Sequence, residues 1–113
     1  MNRRGEQAER LAAQFLQREG LRIVERNWRC RMGEIDLVAK DDASIVFVEV
    51  RLRASQAFGG AAASIDWAKR RKLIAAANLY IGARRIDAPC RFDAVLLDVH
   101  GGIEWLRDAF RAD

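Results

Sequence analysis

The chain has 113 residues and a formal net charge of +4 at pH 7, with twenty Lys and Arg against sixteen Asp and Glu. Half of the residues are apolar, which excludes a disordered chain, and the length predicts one domain over residues 1–113. The positive charge favours a polyanionic partner without establishing one. Cys30 and Cys90 lack zinc-site spacing, and no signal peptide or membrane-length apolar run is visible. We therefore expect a soluble, cytoplasmic protein that does not contact a membrane.

The first half of the chain predicts one helix and three strands. Apolar side chains recur at helical spacing over residues 4–19, and Gly20 is a natural helix end. Residues 21–28 alternate in the manner of a strand. Residues 33–53, "GEIDLVAKDDASIVFVEVRLR", read as a β-hairpin.

The second half predicts a helix and two further strands. The stretch "ASQAFGGAAAS" reads as a mobile loop, after which Ser64 caps a helix over residues 65–81 that ends at Gly82. The segment "CRFDAVLLDVH" is a strongly apolar strand, and Gly101 and Gly102 turn the chain into "IEWL" and a short helical end. The order αβββαββ predicts an α/β fold with a central mixed sheet flanked by helices.

The hairpin raises a problem of charge. A four-residue loop over residues 41–44 pairs Lys40 with Ile45 and sets Asp36 opposite Glu49. Like charges directly opposed destabilise a sheet, so a positive group is expected between them. Mg²⁺ takes ligand sets of this kind. The same register gives the other face a wholly apolar set, which is Ile35, Leu37, Ala39, Val46, Val48 and Val50.

An ordinary explanation of the same charges stays open. In this register Glu34 lies opposite Arg51, and the two could form an ion pair on a solvated sheet face. Asp36 and Glu49 would then point into water. A slip of one residue in the register would also remove the metal argument.

Four stretches together resemble a known family. They are "AERLAAQFLQREG", "NWRCRMGEIDLVAKDD", "VFVEVRLR" and "RFDAVLLD". They are similar to the YraN family of uncharacterised bacterial proteins (UPF0102), which is related to archaeal Holliday junction resolvases, and the likeness covers residues 9–110. The resemblance implies the restriction-endonuclease-like fold with the PD-(D/E)xK nuclease signature, and a metal-dependent nuclease acting on DNA, including branched DNA.

The resemblance also assigns roles to single residues. Asp36 matches the signature aspartate, Glu49 the second acidic ligand, and Glu9 a helix-borne glutamate that joins the site. Arg51 stands where lysine is usual. Arg cannot act as a general base near neutral pH, but it can orient the nucleophile or stabilise developing charge. Without the family, Glu9 would read as an exposed helix charge.

The implied metal site consists of Asp36, Glu49 and the backbone carbonyl of Val50, holding Mg²⁺ or Mn²⁺. The nucleic-acid-binding candidates are Lys69, Arg70, Lys72 and Arg53. Consecutive residues spread around a helix, so a solvated helix face is the alternative for the run "KRRK".

Other residues that could take part in binding or catalysis also have structural explanations. Asp93 could extend the acidic cluster, although an ion pair with Arg91 is the simpler interpretation. Tryptophans can stack on bases but more often anchor a core. These are Trp28, Trp67 and Trp105, and His100 reads as a loop residue.

The competing function is a non-catalytic module on a nuclease fold that binds nucleic acid or a partner protein. Arg51 in place of lysine supports this interpretation, whereas the presence of Glu9, Asp36 and Glu49 together opposes it. An RNA-directed nuclease would use the same residues. A homodimer is an expectation from the resemblance, because four-way junctions have twofold symmetry.

Overall fold

The computed structural model describes residues 3–53 and 65–112, so the predicted loop at residues 54–64 lies outside the described residues. The elements are α1 (Arg3–Arg18), β1 (Arg22–Cys30), β2 (Gly33–Lys40), β3 (Ile45–Arg53), α2 (Trp67–Arg84), β4 (Cys90–Asp98) and β5 (Ile103–Phe110). The predicted order αβββαββ is confirmed. Within these two ranges, no helix combines the length and the apolar character that a membrane span requires.

The five strands form one mixed sheet in the order β1-β2-β3-β4-β5. Neighbouring strands are antiparallel except β3 and β4, which are parallel. A parallel pair needs a long crossover connection, and α2 lies within this one. The α/β class with a mixed sheet between helices is therefore confirmed.

Both faces of the sheet are apolar and covered. On one face, α1 packs through Ala8, Ala12, Ala13 and Leu16 against Leu37, Ala39, Val46 and Val48. On the other, α2 packs through Leu73, Ala76, Ala77 and Tyr80 against Val38, Ile45, Phe47 and Phe92. The predicted apolar face is confirmed for Leu37, Ala39, Val46, Val48 and Val50. The face expected to carry the charges also contributes Val38, Ile45 and Phe47 to a core that α2 buries.

Ile35 lies on the α2 side of the sheet, not with Leu37 as predicted. Strict alternation would place positions 35 and 37 on one face. The alternation breaks between them, opposite Asn27, whose φ of 52° is in the left-handed region. Asp36, which lies at this irregularity, belongs to the site described below.

Helix α2 begins and ends later than predicted. Its N-cap is Asp66, whose side chain accepts a hydrogen bond from the Lys69 N–H at 2.8 Å. The helix continues through Gly82, because Arg85 supplies the left-handed C-cap with φ 53° and ψ 46°. The predicted helical end of the chain is also wrong, since β5 extends to Phe110.

Candidate functional site

The candidate site forms where β2 and β3 separate. The predicted register is confirmed from Lys40↔Ile45 to Leu37↔Val48, and there the backbone ladder between the two strands ends. Beyond it, Oδ2 of Asp36 accepts a hydrogen bond from the Val50 N–H at 2.8 Å. The N–H and C=O of one strand residue point to the same edge, so the Val50 carbonyl faces this gap.

The predicted pairing of Glu34 with Arg51 does not form. Glu34 Oε2 instead lies 3.4 Å from Arg29 Nε, and Arg29 is its neighbour across the β1–β2 ladder. The ladder to β3 ends before position 36, so Glu34 and Arg51 are not opposed. The interpretation of the charges as a solvated sheet face with this ion pair is therefore wrong.

Helix α1 brings a third carboxylate to this point. Carboxylate oxygens of Glu9, Glu34 and Asp36 all lie within 4.8 Å of one another. Glu9 is 8% exposed, so its interpretation as an exposed helix charge is wrong. Its neighbours Ala8, Ala12 and Leu16 pack α1 onto the sheet, which fixes the position of Glu9. The cluster borders a cleft of about 230 Å³ that Glu9 and Asn27 help to line.

Glu49 lies on β3 beside this cluster and is 4% exposed. Its Oε1 is 3.8 Å from Arg51 Nε and 3.7 Å from Lys69 Nζ. Its Oε2 is buried and receives no hydrogen bond from the described part of the chain. The same holds for Oε1 of Glu34. Buried carboxylate oxygens without donors are costly unless a ligand satisfies them.

The electrostatics of the cluster favour added positive charge. Burial raises the pKa of Glu49 to about 8, repulsion from Asp36 adds to this, and Lys69 and Arg51 oppose it. Burial also raises the pKa of Glu9 to about 7, together with repulsion from Asp36 and Glu34. The pKa of Glu49 therefore stays raised although two cations, Lys69 and Arg51, lie nearby.

The donor set suits a hard divalent cation. Mg²⁺ and Mn²⁺ prefer oxygen ligands, and the site offers carboxylates and the carbonyl of Val50. The residues present therefore fit the ion that the sequence predicts. Glu34 was missed as a member of the cluster. The available signal was its position two residues before Asp36, which places it on the same side of the strand.

The basic residues predicted to bind nucleic acid make different contacts. Lys69 faces Glu49, whereas Arg70 donates from Nε to the Ile65 carbonyl at 2.8 Å. Arg53 donates from Nη1 to Glu104 Oε1 at 2.9 Å, and Lys72 is exposed on α2. Within the run on α2, Lys69 is paired with Glu49.

Asp93 is a structural residue. It is fully buried and accepts hydrogen bonds from Arg91 Nε at 3.0 Å and from Trp105 Nε1 and the Asp108 N–H at 2.9 Å each. The predicted ion pair with Arg91 is confirmed. Trp105 thereby anchors β5 to β4.

The other two tryptophans differ in exposure. Trp28 packs edge-to-face on Tyr80 with ring centroids 5.2 Å apart, which is the predicted core-edge role. Trp67, at the start of α2, is 75% exposed.

Comparison with known proteins identifies close relatives. A UPF0102 protein of Methylobacillus flagellatus is 55% identical over 99% of this chain and its own full length. UPF0102 proteins of Nitrosomonas europaea and Xanthomonas oryzae are each 52% identical, over 95% and 97% of this chain and 92% and 93% of their own lengths. The model of the uncharacterised protein family UPF0102 matches residues 8–97, which include Glu9, Asp36, Glu49 and Arg51. The chain belongs to the UPF0102 family.

Proposed function

We propose that this protein hydrolyses phosphodiester bonds in nucleic acid, with DNA and in particular branched DNA as the substrate, in a reaction that requires a divalent metal ion. The observation that carries the proposal is the convergence of Glu9, Glu34 and Asp36 at the splayed end of the hairpin, with Glu49 beside them. The order αβββαββ and the placement of Asp36 and Glu49 support a restriction-endonuclease-like fold with the PD-(D/E)xK signature.

Asp36, Glu49 and the Val50 carbonyl would hold Mg²⁺ or Mn²⁺, and Glu9 and Glu34 would accept hydrogen bonds from waters around it. When bound, such an ion lowers the pKa of a water molecule and polarises the scissile phosphate. The hydrogen bond from the Val50 N–H fixes the Asp36 carboxylate, so this ligand is oriented before the ion arrives.

In this mechanism Arg51 binds the phosphate and orients the attacking water. Its guanidinium remains charged near neutral pH, so it cannot accept a proton from the attacking water. It can donate hydrogen bonds to a phosphate oxygen and stabilise the charge that develops as water attacks phosphorus. A new P–O bond forms as the attacking water gives up a proton to solvent, the P–O bond to the sugar breaks, and the leaving oxygen takes a proton from solvent.

A non-catalytic nucleic-acid-binding module is the second candidate. The observation that favours it is Arg51, since the residue two positions after Glu49 cannot serve as a general base. In that function the acidic cluster would hold a cation that attracts phosphate, and no bond would be cleaved.

Cleavage of labelled substrates tests the proposal. A four-way junction, a duplex, a single DNA strand and an RNA strand are incubated with the protein in Mg²⁺ and then in Mn²⁺. We expect metal-dependent cutting that falls at least about 100-fold in Asp36→Asn and in Glu49→Gln. Glu19→Gln, an exposed acid outside the cluster, should cut at the wild-type rate.

Two results would contradict catalysis at this site. One is cutting that persists unchanged in Asp36→Asn and Glu49→Gln, which would point to a contaminant. The other is salt-sensitive binding by the wild type without any cutting, which would favour the non-catalytic module.

A further inference from the structure

Lys69 occupies a fixed position at the edge of the acidic site. It is the third residue of α2, and its N–H donates to the N-cap Asp66 at 2.8 Å. Its side chain is 40% exposed and extends to Glu49, where Nζ lies 3.7 Å from Oε1. The backbone is held, while the ammonium group remains accessible to a ligand.

Helix electrostatics do not explain a lysine at this position. The N-terminal end of a helix carries partial positive charge, which favours acidic residues in the first turn and disfavours cations. The first turn of α2 contains no acidic residue and places Lys69 there. The side chain of Lys69 lies beside Glu49.

Lys69 and Arg51 approach the same oxygen of Glu49 from different elements. The separations of 3.7 and 3.8 Å make ion pairs, but they are too long for hydrogen bonds. An ammonium group has three donors on a flexible stem, and Glu49 takes none of those of Lys69 at this distance. Both cations lie where an anionic substrate at the acidic cluster would have to be neutralised.

We propose that Lys69 contacts the substrate, donating a hydrogen bond from Nζ to a non-bridging oxygen of the phosphodiester at the candidate metal site. This inference rests on the proposed function and names a residue that positions the phosphate at the candidate metal site. Lys69 and Arg51 then hold the phosphodiester from the α2 side and the β3 side. Arg70 is excluded from this role, because its Nε donates to Ile65 and its guanidinium lies 5.6 Å from the Phe110 ring centre.

Binding of a short probe tests this contact without cleavage. The probe is a hexathymidylate single strand in Ca²⁺, titrated into wild type, Lys69→Gln, Lys69→Arg and Lys40→Gln. Lys40 is an exposed lysine at the loop end of the hairpin and serves as the matched control. We expect Lys69→Gln to weaken binding about 10-fold, the cost of one charged contact, with Lys40→Gln within about twofold and Lys69→Arg between them.

A second measurement separates substrate contact from support of Glu49. In the absence of nucleic acid, Lys69→Gln should bind Mn²⁺ as tightly as wild type or more tightly, because a neighbouring positive charge is removed. Weaker Mn²⁺ binding would mean that Lys69 only positions Glu49, and it would overturn the proposal. Probe binding by Lys69→Gln equal to that of wild type, or no probe binding by wild type, would also overturn it.

The outcomes distinguish this proposal from the proposed function. If wild type cuts no substrate but Lys69→Gln loses probe affinity, the nuclease assignment fails and the phosphate contact stands. If wild type cuts and Lys69→Gln binds the probe normally, the nuclease assignment stands and the Lys69 contact is wrong.

Discussion

Glu49 and Asp93 are both buried carboxylates in the centre of the sheet, yet their surroundings are opposite. Asp93 accepts three different donors, from Arg91, Trp105 and the backbone of Asp108. Glu49 has cations only at ion-pair distance, and one of its oxygens receives no hydrogen bond from the described residues. The first carboxylate stabilises the fold, whereas the second is a cost that a ligand can offset.

Replacement of each carboxylate by its neutral amide should therefore change the free energy of unfolding in opposite directions. In chelator at pH 8, Glu49→Gln should raise the free energy of unfolding by at least about 1 kcal/mol, because the raised pKa of Glu49 shows that the folded state disfavours its charge. Asp93→Asn should lower it by about 3 kcal/mol, since Arg91 loses its buried counter-charge. Urea denaturation measures both changes. A loss of stability in Glu49→Gln would contradict this account of the cluster.

At the scale of elements, loop length and residue alternation predicted the β2–β3 hairpin but not the separation of its strands at Asp36. Loop length and alternation predicted the register from Lys40↔Ile45 to Leu37↔Val48, because both depend only on neighbouring residues. The strands separate at Asp36, and on β1, across from this position, Asn27 adopts a left-handed conformation. The sequence of the hairpin alone contains no signal for this break, so the place of Ile35 could not be predicted.

The start of α2 could not be predicted from local sequence preferences either. Ser64 and Asp66 are both good N-cap residues, and propensity does not choose between them. The structure uses Asp66, which also fixes the backbone of Lys69. Glu9, by contrast, was predicted only through the family resemblance, because single-sequence patterns cannot show that a carboxylate on α1 meets those of the hairpin.

Removal of this cap should weaken α2. We expect Asp66→Ala to lower the free energy of unfolding by about 1 kcal/mol, since the Lys69 N–H loses its acceptor. Thermal or urea unfolding provides the measurement. Asp42→Ala, an exposed change in the hairpin loop, should stay within about 0.5 kcal/mol of wild type. Equal effects of the two substitutions would argue against the cap.

At the scale of the whole molecule, two helices bury both faces of the sheet and leave the acidic residues at the end where β2 and β3 separate. The carboxylates whose charge is disfavoured by burial, those of Glu9 and Glu49, thus lie together at this end of the sheet. The stability of the entire fold should respond to the ionisation of this cluster.

In chelator, stability should fall as the pH rises from about 5 to about 8. The folded state keeps protons on Glu9 and Glu49 up to pKa values of about 7 and 8, whereas unfolded glutamates release them near 4.5. The folded state therefore binds more protons in this range, and each group lowers stability by at most about 1.4 kcal/mol per pH unit. Chemical denaturation at a series of pH values measures the slope. Stability that rises over this range would contradict the raised pKa values.

The measurement that tests the central claim most directly is calorimetric titration of the protein with Mn²⁺ at pH 7, in two buffers of different ionisation enthalpy. The account predicts saturable binding with release of protons, because the ion favours the charged forms of Glu9 and Glu49. It also predicts that Asp36→Asn weakens binding at least about 10-fold. Absence of binding, or binding unchanged in Asp36→Asn, would contradict the assignment of this cluster as a metal site.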